Sequence, residues 1–257
     1  MAKAMIEKPV RRLALVGESA RVNPDLLRLA AMFAEPSRVD ELLGLFVQDV
    51  TLIRAAELPV TREIGVVSGH VRELDAGRVL ALMQRQADIL REQLAAIAAE
   101  LRLPLSFRIA RGRLLDQAMQ LLPTVDLLFL CARRGGVMPA RPAVARDGVV
   151  SALIEPNGDA GRVIDAAWRL AGGRPDRLLC IVPRGTGGGA QAARRLVADR
   201  VGVRPEAVNV VTYASAFEEL SRAMRRFQSS VLVLSAAHAG ALTEELGALV
   251  DSVLFVS

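Results

Sequence analysis

Aromatic residues make up only 4% of the 257 residues, with one Trp and one Tyr. The hydrophobic fraction of 52% must therefore come from Ala, Leu, Val and Ile, a composition that suits helices packed on a buried sheet. The formal charge of +5 is carried mostly by arginines scattered among Asp and Glu. Without a Lys/Arg block or aromatic stacking platforms, nucleic acid is not expected as a partner. Cys131, Cys180, His70 and His238 are the only cysteines and histidines. No carboxylate cluster accompanies them, so no metal site is expected. Both cysteines lie in or at the end of apolar runs, where a small buried thiol is expected rather than a disulfide. No apolar stretch approaches the ~20 residues that span a bilayer, and the opening MAKAMIEKPVRR lacks the apolar core of a secretory signal. A cytoplasmic protein without membrane insertion is the expectation. No Ser/His/Asp grouping, Cys/His pair or His-Glu metal helix is visible either, so no enzyme is expected.

What is present is alternation. LALVGES from Leu13 reads as a buried strand, and Asn23-Pro24 opens a helix whose apolar face is Leu26, Leu27, Ala30 and Phe33. LLGLFV (42 to 47) is a second strand. After an irregular insertion, a long helix runs from about Gly77 to Leu101, with Leu80, Met83, Ala87, Leu90, Leu94 and Ile97 on one side, and Pro104 stops it. LSFRIA (105 to 110), a short helix through Leu114, Ala118 and Leu122, and DLLFLC (126 to 131) follow. Strands alternating with helices predict an α/β fold with a mainly parallel sheet.

The order then starts again. VVSALIEPN (149 to 157), a helix through Val163, Ala167, Trp168 and Leu170 closed by Gly172 and Gly173, LLCIV, NVVTY and VLVLSAAHAG repeat the element lengths of the first half. The chain therefore divides into 1–147, which carries an insertion at 48–75, and a shorter second repeat, 148–257, with the boundary near Asp147-Gly148.

Between strand and helix of the second repeat lies LLCIVPRGTGGGAQAARR (178 to 195). Gly185, Gly187 and Ala190 approach the dinucleotide fingerprint, but Gly189 falls one place early and no acid ends the following NVVTY. A phosphate loop would need Gly-Lys-Ser/Thr where Ala190 and Gln191 stand. The run reads as an entropic connection, although Arg184, Arg194 and Arg195 have the shape to attract an anion.

Phe46-Val47-Gln48-Asp49, then Leu52, Arg54, Ala55, Leu58, Pro59, Arg62 and Glu63, is similar to a Phe-Val-Glu-Asp, Leu-Pro, Arg-Glu pattern in a bacterial subgroup of the universal stress proteins. With two Rossmann-like repeats in succession, nearly the whole chain resembles a tandem member of that family. The resemblance implies sheets of order 3-2-1-4-5, halves packed as an intramolecular pseudo-dimer, and any nucleotide lying over the carboxyl ends of strands one and four. It also implies an Asp closing strand one and a loop G-x2-G-x9-G-Ser/Thr after strand four, and the sequence departs from both. In the first half Gly17 and Glu18 stand where the aspartate belongs, and Arg133, Arg134, Gly135 and Gly136 replace the spaced glycines. In the second half Glu155 takes the aspartate position, while Gly240 and Gly247 are all that remains of the loop.

Two functions stay open at this point. One is a non-enzymatic regulatory protein without a cofactor, acting through a protein partner or self-association, with the insertion as the contact. The other is a stress sensor holding ATP or AMP at a residual first-half site of Gly17, Glu18, Val47, Arg133, Arg134, Gly135 and Gly136. Arg133 and Arg134 could pair with phosphate oxygens or be solvated loop arginines. Glu18 and Glu155 fit a ribose or adenine donor, or water. His238 is a pH-sensitive contact or ordinary surface.

Overall fold

The computed structural model describes residues 12–18, 39–65, 68–131, 148–155, 159–185, 189–213, 217–241, 250 and 252–257. The strands are β1 (Arg12–Gly17), β2 (Glu41–Asp49), β3 (Arg62–Ile64), β4 (Val71–Glu73), β5 (Leu105–Gly112), β6 (Leu127–Cys131), β7 (Val149–Leu153), β8 (Leu178–Pro183), β9 (Asn209–Tyr213), β10 (Ser229–Ser235) and β11 (Ser252–Val256). The helices are α1 (Val50–Glu57), α2 (Ala76–Leu101), α3 (Leu114–Leu121), α4 (Ala160–Leu170), α5 (Gly189–Val201) and α6 (Phe217–Arg226). The helix read from Asn23 lies outside the described residues.

Nine strands form a single sheet in the order β5-β2-β1-β6-β11-β10-β7-β8-β9. Within the first half the order is 3-2-1-4, and within the second it is 3-2-1-4-5, every neighbour pair in either half being parallel. The sequence reading expects a separate sheet for each half. The two are joined instead, because the position beside β6 is filled by β11, which runs antiparallel to it from Ser252 opposite Cys131 to Val256 opposite Leu127.

The alternation of the strands sorts their side chains into two layers. Leu13 and Leu15 face one core with Phe46, Phe129, Cys180 and Leu254, covered by α1, α2, α4 and α5. Ala14 and Val16 face the other with Val47, Leu128, Ile181 and Phe255, covered by α3 and α6. Strands buried on both faces explain the near-continuous apolar runs in the sequence.

The long helix is stopped and started by local chemistry. Asp75 caps α2 by accepting from the Arg78 N–H at 2.6 Å, and its far end closes in the left-handed Arg102, φ 56°, whose N–H and that of Leu103 return to the last turn. Val79, Met83, Ala87, Leu90, Leu94 and Ala98 are its buried stripe. Gly172 and Gly173 take positive φ just past α4, as their place in the sequence requires.

The insertion is not irregular. Because β2 continues through Asp49, whose carboxylate accepts from the Thr51 N–H, α1 begins at once. A hairpin of β3 and β4 follows, pairing Arg62 with Glu73, Glu63 with Arg72 and Ile64 with Val71.

Gly44 lies where α2 packs closely on the sheet. A Cβ there would lie 2.6 Å from Leu94 Cδ1 and 2.6 Å from the Phe107 ring. Leu94 is only 1% exposed and has little room to yield. Gly44→Val is therefore expected to lower unfolding stability by about 1–3 kcal/mol, read from a denaturant midpoint with an unchanged slope.

Candidate functional site

In an open α/β sheet, ligands approach where neighbouring strands send their chains in opposite directions, beyond the carboxyl ends. The first half offers that position between β1 and β6. Gly17 ends β1 opposite Phe46 on one side and Cys131 on the other, and Glu18 follows it half-buried. Val47 is 1% exposed and belongs to the core beneath, so only its backbone faces this edge. Gln48, also buried, accepts from Arg111 Nε at 3.1 Å. Arg133, Arg134, Gly135 and Gly136 lie outside the described residues. The structure thus brings together Gly17, Glu18 and Val47 of the predicted set.

The corresponding place in the second half lies between β7 and β10, and it is occupied by the protein itself. Glu155 follows β7. His238 sits on the short 3-10 segment Ala236–Ala241 that continues from β10. His238 Nε2 donates to Glu155 Oε2 at 2.8 Å, with side-chain exposures of 21% and 38%. The histidine read as a pH-sensitive contact or ordinary surface therefore has a partner, and one oxygen of the glutamate read as facing water or a ribose is engaged. Nothing near either residue in sequence signals the other; only the crossing of the strands brings them together. The other ring nitrogen of His238, Nδ1, is buried and has no hydrogen-bond partner among the described residues.

Tyr213, at the end of β9, feels this pair. Burial raises its pKa above the ordinary 10.0 first of all, and the negative charge of Glu155 raises it further. The folded protein holds the phenolic proton more firmly than the unfolded chain. That contributes stability below pH 10 which is lost as pH rises through the folded-state value. Arg184, just past β8, donates its N–H to the Tyr213 carbonyl and places its guanidinium 3.8 Å from Glu219 on α6. This arginine, offered by the sequence as an anion ligand, already faces a carboxylate.

The glycine run is described only at its ends. Gly185 and Gly189 have φ of 92° and 55°, and an added Cβ would meet nothing within 4 Å at either. Their need for glycine comes from backbone conformation rather than from crowding.

Burial pushes both cysteine thiols up to about 12, so at neutral pH they are protonated and poor nucleophiles. Among the described residues no group of three or more His, Cys, Asp and Glu side chains is placed to hold a metal ion. No helix among them is long and apolar enough to cross a membrane.

No family model matches the chain, and no curated protein matches it. Among solved structures, it is similar to a universal stress protein from Archaeoglobus fulgidus DSM 4304, with 11% identity and a TM-score of 0.46, over 95% of this chain and 98% of that one. A protein of unknown function from Pseudomonas aeruginosa PAO1 matches with 13% identity and a TM-score of 0.46, over 96% and 92% of the two chains. A putative universal stress protein from Pseudomonas aeruginosa UCBPP-PA14 matches with 13% identity and a TM-score of 0.45, over 96% and 93%.

With a single tyrosine in the chain, alkaline absorbance titration reads Tyr213 alone. The wild type should titrate above pH 10. Glu155→Gln should lower the midpoint while leaving it above that of the unfolded chain, since burial is the larger cause. An unchanged midpoint would separate Tyr213 from the Glu155–His238 pair.

Proposed function

We propose that this chain is a non-enzymatic regulatory protein of universal-stress type that works by binding a protein partner through residues 50–75. One observation carries the reading: large apolar side chains are held in solvent on an ordered excursion. Leu58 is 56% exposed, Val60 82%, Ile64 68% and Val71 55%. Ile64 and Val71 are directly opposed on the hairpin, so they form a cross-strand apolar pair that is exposed among the described residues. A two-stranded hairpin of three-residue strands is marginal by itself. Here it is secured by the ion pairs of Glu63 with Arg72 and with Arg78 of α2, and by the Leu74 N–H donating to the Thr61 carbonyl. Rigid elements that display an apolar pair have the character of an interaction site.

The same reading accounts for the crevices. His238 engages one carboxylate oxygen of Glu155, so a ligand hydroxyl there would have to share it with the imidazole. In the first half the spaced glycines whose N–H groups would wrap a triphosphate are missing from the sequence.

Val60→Ser/Ile64→Thr/Val71→Thr keeps β-propensity on the hairpin and should leave the melting temperature within ~2 °C of wild type, as expected of surface substitutions. Cross-linked partners recovered with the wild type should be lost with this variant. Identical partners from both would remove the insertion from the reading. Millimolar Mg-ATP should shift the melting temperature of neither; a saturable shift would favour the nucleotide sensor instead.

A further inference from the structure

The outer surface of α2 has a pattern that its buried surface does not require. The buried stripe of Val79, Met83, Ala87, Leu90, Leu94 and Ala98 accounts for one side. At 3.6 residues per turn, Leu82, Arg85, Ile89, Glu92 and Ala96 fall together on the opposite side. All five are exposed, Leu82 at 56% and Ile89 at 46%. Leu82, Ile89 and Ala96 recur every seven residues, the spacing that keeps one seam turned toward a partner helix. A helix whose single task is to cover a sheet places charge there.

The order of residues along this seam is self-complementary. Let a second α2 lie antiparallel across the first, with a two-fold axis close to Ile89. Ile89 then faces its own copy, and Leu82 faces Ala96 of the other chain, a large side chain opposite a small one. Arg85 of each chain comes level with Glu92 of the other to within about one residue's rise, ~1.5 Å, well inside the reach of both side chains. Two symmetry-related ion pairs therefore flank the central apolar contact. Neither Arg85 nor Glu92 makes an ion pair among the described residues, so both are available for it. A parallel pairing would place Arg85 against Arg85 and Glu92 against Glu92, which like-charge repulsion disfavours.

We propose that the outer face of α2 is the seam of a two-fold symmetric homodimer, held by Ile89 at its centre and by reciprocal Arg85–Glu92 pairs. The occupant of this face is a second copy of the chain, because a two-fold interface has to be complementary to itself and this charge order is. The proposal is independent of the partner-binding role of residues 50–75, which lie before the helix.

Charge reversal in the full-length chain tests it. Sedimentation of the wild type across a concentration series should give a reversible dimer. Arg85→Glu alone and Glu92→Arg alone should each weaken it about tenfold or more, since each change turns two attractive contacts into two repulsive ones. The positions are exposed, so circular dichroism should be that of the wild type, as should melting at concentrations where both are monomeric. Mixing the two single variants should produce a heterodimer, because a chain acidic at both positions then meets a chain basic at both. The double variant R85E/E92R should dimerise like the wild type. A wild type that stays monomeric at the highest attainable concentration overturns the proposal. So does a dimer indifferent to both single reversals, or one that the mixture fails to restore.

Discussion

Everything in this architecture leans on the antiparallel pairing of β6 with β11. Five residues of β11, all buried, pair in continuous register with all five residues of β6. The last backbone N–H of the chain, Ser257, extends the seam to the Asp126 carbonyl at 3.0 Å. Without this seam, β6 and β11 would each present an unpaired edge inside an apolar region, an arrangement that invites aggregation. With it, the residues of both halves share the same two cores, and each core reaches from β1 to β11 on its own side of the sheet. By chain order β11 is the fifth strand of the second half. By position it completes the first.

The reversal at that seam also fixes where chemistry could occur. Strands β1, β2, β5 and β6 are mutually parallel, β7 to β11 likewise, and the two sets are antiparallel to each other. Their carboxyl ends therefore lie on opposite edges of the sheet. A ligand in the crevice between β1 and β6 has no access to the Glu155–His238 pair, and the two halves cannot close on a shared substrate. What remains for each crevice is its own local arrangement. In the second half that arrangement turns inward: the carboxylate at the end of β7 is held by an imidazole from the segment after β10, and the field of that carboxylate reaches Tyr213 rather than a guest. A ligand using Glu155 would share the carboxylate with His238, whose other ring nitrogen, Nδ1, is buried without a partner among the described residues.

The sequence discloses most of this fold through periodicity. Alternating Leu13, Ala14, Leu15 and Val16 belong to a strand buried on both faces, and the stripe from Met83 to Leu94 belongs to one long amphipathic helix; each signal is local and needs no distant partner. Long-range pairing is different. No residue in SVLFV distinguishes a neighbour at β6 from one at β10, so the fusion of two sheets into one is invisible until the strands are laid side by side. The hairpin is hidden for another reason. Its strands are three residues long, and only Ile64 and Val71 carry the β-branched character that marks a strand; the Glu63–Arg72 ion pair crosses between them. The Glu155–His238 contact is equally silent, because each residue alone looks like surface and only the crossover connection makes them neighbours. The glycine run reads as an entropic connection, and at its described ends, Gly185 and Gly189, positive φ is required while an added Cβ would meet nothing within 4 Å.

The edges of the sheet narrow the ways in which the molecule can meet a copy of itself. Among the described residues the sheet ends at β5 and β9. The β5 edge is the longer, and it carries the exposed cations Arg108 and Arg111, a common device against strand addition since an antiparallel copy would bring like charges close together. The β9 edge has only five residues and begins directly after the short turn Pro205–Ala207, so it offers a brief ladder and little area. Interior strands are covered on both faces by helices. Self-association by strand pairing is thus discouraged at one end by charge and at the other by length. Away from the hairpin and from Ile109 of β5, the exposed large apolar side chains of the elements lie on helices, and α2, the longest helix described, sets Ile89 between charges of opposite sign.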